Sequence, residues 1–391
     1  MATITLPTRD GGLEPHRLSA ASSFPDTRPA AARSWTRVAY AAAHVVAKPL
    51  DSDSPWTTGG AIDWDATLAY RERLWGLGFK IAEAMDTSQR GMGLDWPAAA
   101  ALIRRSVALS RHHAGADLAC GVGTDQLAAT PDVTLDSVIR AYEEQLAVVE
   151  EVGGRAILMA SRALVRAARS ADDYDAVYGR LIGQASGKVI LHWLGAMFDP
   201  ALAGYWGTDD FDTALDRVVA LITAHADRID GIKISLLDQD KEIRLRDRLP
   251  AGVAMYTGDD FNYPALIAGD GRRHSHALLG IFDPIAPAAS AALQALAEDD
   301  HARYAAIMEP TIPLSRAIFE APTQFYKAGV VFMAWLNGHQ DHFTMIGGMQ
   351  SARGIRHYAE VFRLADRAGL LRNPDLAVRR MRALLTLHGV G

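Results

Sequence analysis

The seven residues Ile229-Asp230-Gly231-Ile232-Lys233-Ile234-Ser235 set one lysine inside a short run of branched aliphatic side chains. A run of this length, bounded by turn-forming residues, reads as a parallel strand covered on both faces. An ammonium is almost never left in such surroundings without a partner or a task. Loss of water favours the neutral amine, and a neutral amine attacks carbonyl carbon. At the C-terminal end of a barrel strand, Lys233 becomes a candidate for imine formation. The competing reading is a partly buried lysine paired with a carboxylate such as Glu83 or Asp259.

Seven more apolar runs flank this one, over residues 38–46, 79–84, 116–121, 155–160, 188–194, 253–257 and 277–281. Between them lie segments such as 96–111, 135–152, 171–185 and 213–228, with apolar residues at three- and four-residue spacing, the mark of amphipathic helices. Strand and helix alternating eight times predict an α/β fold, a (β/α)8 TIM barrel, over residues 35–287. Residues 288–391 are expected as a C-terminal helical extension, with helices over 288–297, 302–319, 325–336 and 354–368. Residues 1–34, rich in Pro, Ala, Ser, Thr and Gly, are expected as an N-terminal arm that is flexible in part or drapes over a neighbouring subunit.

Composition narrows the function. The 391 residues are 49% hydrophobic and 22% charged, with a net charge of −6 and no long run of one sign. No basic stripe predicts nucleic-acid binding, and no run of about 18 apolar residues predicts a membrane span. The single cysteine, Cys120, excludes a disulfide framework and a cysteine-based zinc site. A cytoplasmic enzyme is expected, assembled as a homo-oligomer, a dimer or tetramer.

In such a barrel the strand C-termini and the loops after them face the substrate. That rule selects His44 after the first strand and Glu83, Asp86, Thr87 and Ser88 around the second. It selects His192 on the fifth strand, Lys233 on the sixth, and Tyr256, Gly258 and Asp259 on and after the seventh. His192 is the candidate proton shuttle, because imidazole titrates near neutral pH; its competing reading is a hydrogen-bonded core histidine. Gly258 permits a tight strand exit, and Asp259 either accepts hydrogen bonds from ligand hydroxyls or caps the next helix. No cofactor is expected. The alternative is a divalent metal held by His44, Glu83, Asp86 and His192, since imidazole and carboxylate suit such an ion. Gly338-His339-Gln340-Asp341-His342-Phe343 reads as a helix connection that could reach the pocket mouth.

These residues resemble the dihydrodipicolinate synthase / N-acetylneuraminate lyase superfamily of class I aldolases, as a divergent branch. Gly231-Ile232-Lys233-Ile234-Ser235 is similar to the family's strand-six segment, whose lysine forms the Schiff base. Tyr256-Thr257-Gly258-Asp259-Asp260 is similar to its strand-seven segment, and Phe325-Tyr326-Lys327-Ala328-Gly329-Val330 to a C-terminal helix motif. The likeness spans roughly residues 37–370. Where the family carries a strand-five tyrosine as proton shuttle, this chain has His192. Where it carries Gly-Thr-Thr-Gly-Glu to hold the carboxylate of pyruvate, this chain reads Glu83-Ala84-Met85-Asp86-Thr87-Ser88-Gln89. Two acidic side chains there would repel a carboxylate and suit a polyhydroxylated ligand or a cation.

The resemblance implies a Schiff-base-forming lyase or aldolase acting on a small keto acid or keto-sugar-like substrate. Lys233 and His192 are its expected catalytic residues. Glu83, Asp86, Thr87, Ser88, Tyr256, Gly258 and Asp259 are expected to bind substrate. The alternatives are a metal-dependent barrel lyase or isomerase that uses an enolate, and a non-catalytic barrel that binds a small ligand.

Overall fold

The computed structural model describes residues 2–28, 34–51 and 61–390. An antiparallel hairpin, β1 (Thr3–Pro7) and β2 (Leu13–Arg17), precedes eight parallel strands. These are β3 (Ala39–Ala42), β4 (Lys80–Glu83), β5 (Leu118–Val122), β6 (Arg155–Leu158), β7 (Val189–Leu194), β8 (Ile229–Ser235), β9 (Ala254–Thr257) and β10 (His276–Leu279). They pair in chain order, and β10 returns to β3 to close the expected (β/α)8 barrel. Each expected strand segment overlaps one barrel strand, but the ladders end early. Past Ala42, for instance, the His44 amide donates to the Asp283 carboxylate at 2.8 Å rather than to a neighbouring strand.

Side chains alternate in and out along each strand. Ile232 and Ile234 belong to the core between strands and helices, whereas Tyr40, Ala82, Ile157, Ile190, Tyr256 and Leu278 pack together inside the barrel. A polar plug closes the N-terminal end. Arg155 Nη1 donates to Tyr40 OH at 2.9 Å, Tyr256 OH donates to Asp230 Oδ2 at 2.7 Å, and Lys80 pairs with Asp117 at 2.5 Å. Tyr256, expected at the substrate end, therefore belongs to the opposite one. Its ring leans over Gly231, where a Cβ would stand 2.6 Å from Tyr256 Cε2.

The C-terminal residues are helical, with two departures from expectation. The segment 302–319 is two helices, His301–Met308 and Thr311–Ile318, because Pro310 has no N–H to continue the first. A further helix, Pro374–Leu387, follows Ile355–Arg367. The N-terminal segment contains a hairpin that is tied to these last helices. Arg363 Nη2 donates to Leu6 O and Pro7 O at 3.1 and 2.9 Å, and His16 Nε2 meets Asp366 Oδ2 at 2.9 Å. Ile4 and Leu6 are buried there, each contributing about 1.5–3 kcal/mol. Among the described residues no helix is long and apolar enough to cross a membrane.

Candidate active site

Alternation along β8 sends Gly231, Lys233 and Ser235 into the barrel. Lys233 stands in register with His192 on β7. Its side chain passes Gly258, where a Cβ would lie 2.7 Å from Lys233 Cε and 2.6 Å from Ile234 O. Only glycine leaves the amine a path at that position. Lys233 is 8% exposed, and its Nζ has no hydrogen bond or ion pair among the described residues. Burial pushes its amine below the ordinary lysine value, while the charges of Asp260 and Asp86 push it partly back.

Asp260, rather than Asp259, is the acid that faces Lys233. Asp259 Oδ1 accepts from the amides of Phe261 and Asn262 at 2.8 and 3.0 Å, and Asn262 Nδ2 donates to its other oxygen at 2.8 Å. That is a turn-capping aspartate whose two oxygens are already engaged within the turn. Asp260 is buried, and its Oδ1 accepts from the Ile281 amide at 2.9 Å. Burial drives its carboxyl up to about 7, with the Lys233 charge working the other way.

His192 is buried, with Nε2 3.2 Å from Ser235 Oγ and Nδ1 without a partner. Burial, and secondarily the Lys233 charge, hold its imidazole well below the usual histidine range. A ring so placed stays neutral at ordinary pH. Asp260, just after β9, is the group here whose carboxyl is pushed up to about 7.

The loops after β4 to β7 frame a cavity of about 200 Å³, lined among others by Asp86, Thr124, Ser161, Arg162 and His192. Arg90 fastens its wall: Nη1 donates to Ala84 O and Gly121 O at 3.1 Å each, and the guanidinium also pairs with Asp125. Asp86 faces this space. Its neighbours do not. Thr87 Oγ1 lies 2.8 Å from Tyr326 OH, and Ser88 Oγ donates to Met85 O at 2.7 Å, so both hydroxyls serve the turn and the C-terminal helix Tyr326–Leu336.

Glu83 departs furthest from expectation. It points out of the barrel to Arg71, on the helix Trp64–Gly76, in a bidentate pair at 3.0 and 2.9 Å with both side chains fully buried. Burial raises its carboxyl, but the charge and hydrogen bonds of Arg71, with hydrogen bonds from Ser106 and the Ala84 amide, together hold it below the ordinary value. His44 is likewise engaged, through Nδ1 to Asp283 Oδ2 at 2.7 Å. The alternative metal set of His44, Glu83, Asp86 and His192 therefore does not converge, and among the described residues no three His, Cys, Asp or Glu side chains form a metal-holding group. The connection 338–343 packs as a helix link: His339 lies edge-on to Tyr70, and Gln340 Nε2 donates to His342 O at 2.7 Å.

One further buried acid lies behind the site. Glu242 accepts from Ser275 Oγ at 2.7 Å and Thr257 Oγ1 at 2.8 Å, and burial raises its carboxyl from 4.5 to about 8. The folded chain thus holds this proton more tightly than the unfolded chain, so stability falls as pH rises from about 4.5 to about 8. Glu242→Gln is expected to gain on the native chain across that interval, by on the order of a few kcal/mol at its upper end. Urea midpoints at pH 4.5, 6.5 and 8.5 check this; a constant difference would contradict it.

The closed eight-stranded barrel is similar in fold to solved dihydrodipicolinate synthases, which superimpose over most of the chain. The enzyme from Aquifex aeolicus has 13% identity and a TM-score of 0.59, covering 90% of this chain and 98% of its own. The chloride-inhibited enzyme from Acinetobacter baumannii, complexed with pyruvate, has 15% identity and a TM-score of 0.61, covering 85% and 99%. The Bacillus anthracis enzyme has 16% identity and a TM-score of 0.57, covering 75% and 87%. Residues 4–390 match the family described as protein of unknown function (DUF993), and the chain belongs to it. A comparison with curated proteins finds no match.

Proposed function

We propose that the protein is a lyase of the class I aldolase type, acting on a small keto acid or keto-sugar-like substrate through an imine at Lys233. One observation carries this reading: a buried amine with no hydrogen bond or ion pair, beside a carboxyl that titrates near 7. The neutral amine adds to the carbonyl carbon and gives a carbinolamine. Asp260, in its acid form, protonates the carbinolamine oxygen; water leaves and a protonated imine remains. A bond at the neighbouring carbon then breaks, and its electron pair moves into the imine to form an enamine. The Asp260 carboxylate accepts the proton released with the departing fragment and returns it to the enamine carbon. Hydrolysis of the imine frees product and amine. His192, neutral and with Nδ1 unpaired, offers the substrate a hydrogen bond that carries no charge.

The pairing of Glu83 with Arg71 bears on substrate choice. Of the two acids expected at the strand-two loop, only Asp86 lines the cavity, which favours a keto acid more than the sequence suggests. The test is borohydride reduction in the presence of pyruvate and of short 2-keto sugar acids, followed by peptide mapping. The expected product is one adduct on the peptide that contains Lys233, lost in Lys233→Met. Adducts on other lysines only, or none with any keto compound that is turned over, would overturn the proposal.

A further inference from the structure

Two guanidiniums line the cavity framed by the loops after β4 to β7, and they differ in what they have left to give. Arg90 is spent. Its Nη1 holds Ala84 O and Gly121 O, its Nε and Nη2 hold Asp125, and Nη2 also donates to Gln145 Oε1 at 2.7 Å. Arg162 commits one edge only. Its Nε donates to Asp199 Oδ2, and neither Nη group makes a hydrogen bond among the described residues.

Arg162 is held where it stands. Asp199 is fixed in turn through Oδ1, which accepts from the Ala201 amide at 3.1 Å. Ser161 sets the backbone just before the arginine: its amide donates to Tyr205 OH at 3.1 Å, and its Oγ accepts from the Leu164 amide at 2.9 Å. The guanidinium reaches the turn after β4, with Nη1 3.7 Å from where a Cβ would stand on Gly91. The Arg162 side chain is 50% exposed, whereas His192 in the same cavity is 1% exposed and Lys233, in register with His192, is 8%. The cavity therefore runs from a dry floor beside Lys233 to a wet mouth at Arg162. Leu127, Met159, Leu194 and Leu202 line it in part and suit a methylene chain. Asp86 is the lining carboxylate without an ion pair, and it repels an anion set beside it. An anionic group on the ligand is thereby directed to Arg162.

We propose that Arg162 is the specificity-determining residue of this site: the open edge of its guanidinium receives an oxyanion, carboxylate or phosphate, at the end of the substrate remote from the reacting carbonyl. This deepens the reading given above and rests on Lys233 being the amine that meets that carbonyl. A planar fork with one free edge matches two oxygens of an oxyanion while Nε stays on Asp199.

The test uses three 2-keto acids of one chain length that differ only at the far end: 2-oxopentanoate (methyl), 2-oxopentanedioate (carboxylate) and 2-oxo-4-phosphonobutanoate (phosphonate). Affinity is read by calorimetry, and imine formation separately by borohydride trapping at Lys233. The native protein is expected to bind one or both anionic acids roughly 10–100-fold tighter than 2-oxopentanoate, the span of a hydrogen-bonded contact to a charged group. Whichever leads, carboxylate or phosphonate, names the group. Arg162→Gln is expected to abolish the preference and leave the affinity for 2-oxopentanoate unchanged. Arg162→Lys, which keeps the charge and loses the fork, retains part of it. If Arg162→Gln does not fold, Arg162→Lys decides, because the preference must shrink. A native protein that does not separate the three acids, a preference that survives the substitution, or an equal loss for all three acids would overturn the proposal. A preference without any borohydride adduct would instead defeat the imine and leave the subsite standing. An adduct formed equally with all three acids would leave the imine and remove the subsite.

Discussion

Asp260→Asn is expected to slow borohydride-trapped imine formation at Lys233 by roughly 10²–10⁴-fold, the range that a placed general acid-base group supplies. The amide keeps the shape of the carboxyl and an oxygen to accept the Ile281 amide, so folding should be spared. What it loses is the exchangeable proton. Two effects oppose each other in this variant. Without the nearby negative charge, burial pushes the Lys233 amine still lower, so more of it is neutral and nucleophilic. Dehydration of the carbinolamine, however, loses its acid. If dehydration limits the rate, the loss dominates and the rate no longer bends near pH 7, where the native carboxyl titrates. Trapping rates between pH 5.5 and 9 separate these effects. A variant within threefold of the native rate, with the bend retained, would remove Asp260 from the mechanism and return the proton to His192.

Arg71→Met carries the second large effect, and it falls on stability. Arg71 and Glu83 are both fully buried, and the guanidinium also donates to the carbonyls of His44 and Thr67. Removing the cation strands a carboxylate in the core, which costs about 3–5 kcal/mol. The double variant Arg71→Met with Glu83→Gln is expected to recover most of that, because no unpaired charge is left. Urea unfolding of the single and double variants measures both. A single variant that loses under about 1 kcal/mol would contradict a pair so fully removed from water. The same experiment separates two roles for Glu83: as a ligand-holding acid it would tolerate loss of Arg71, whereas as a structural anion it does not.

The barrel was legible because a parallel strand is covered on both faces and announces itself by uninterrupted aliphatic residues. Lys233 was legible for the same reason, as a charge where the pattern demanded none. The site around it was less so. Choosing between Asp259 and Asp260 required counting the in-out alternation through Gly258, and the capping preference of aspartate fits either position. Glu83 lies on a strand beside the site, but its direction is decided by Arg71, twelve residues earlier on a helix that packs outside. The hairpin of β1 and β2 escaped because its strands are five residues each, one with a central proline, and its partners lie some 350 residues away, as His16 and Asp366 show. In sequence, Tyr326 and Lys327 read only as part of a helix. Nothing local to them says that they reach the turn at 86–92.

The position of that helix in the chain has a consequence for synthesis. A ribosome that has released everything through Leu279 has made all eight strands of the cylinder, yet Tyr326 and Lys327 are still to come. Every strand of the scaffold is therefore synthesised before the helix whose first residues meet the turn at 86–92.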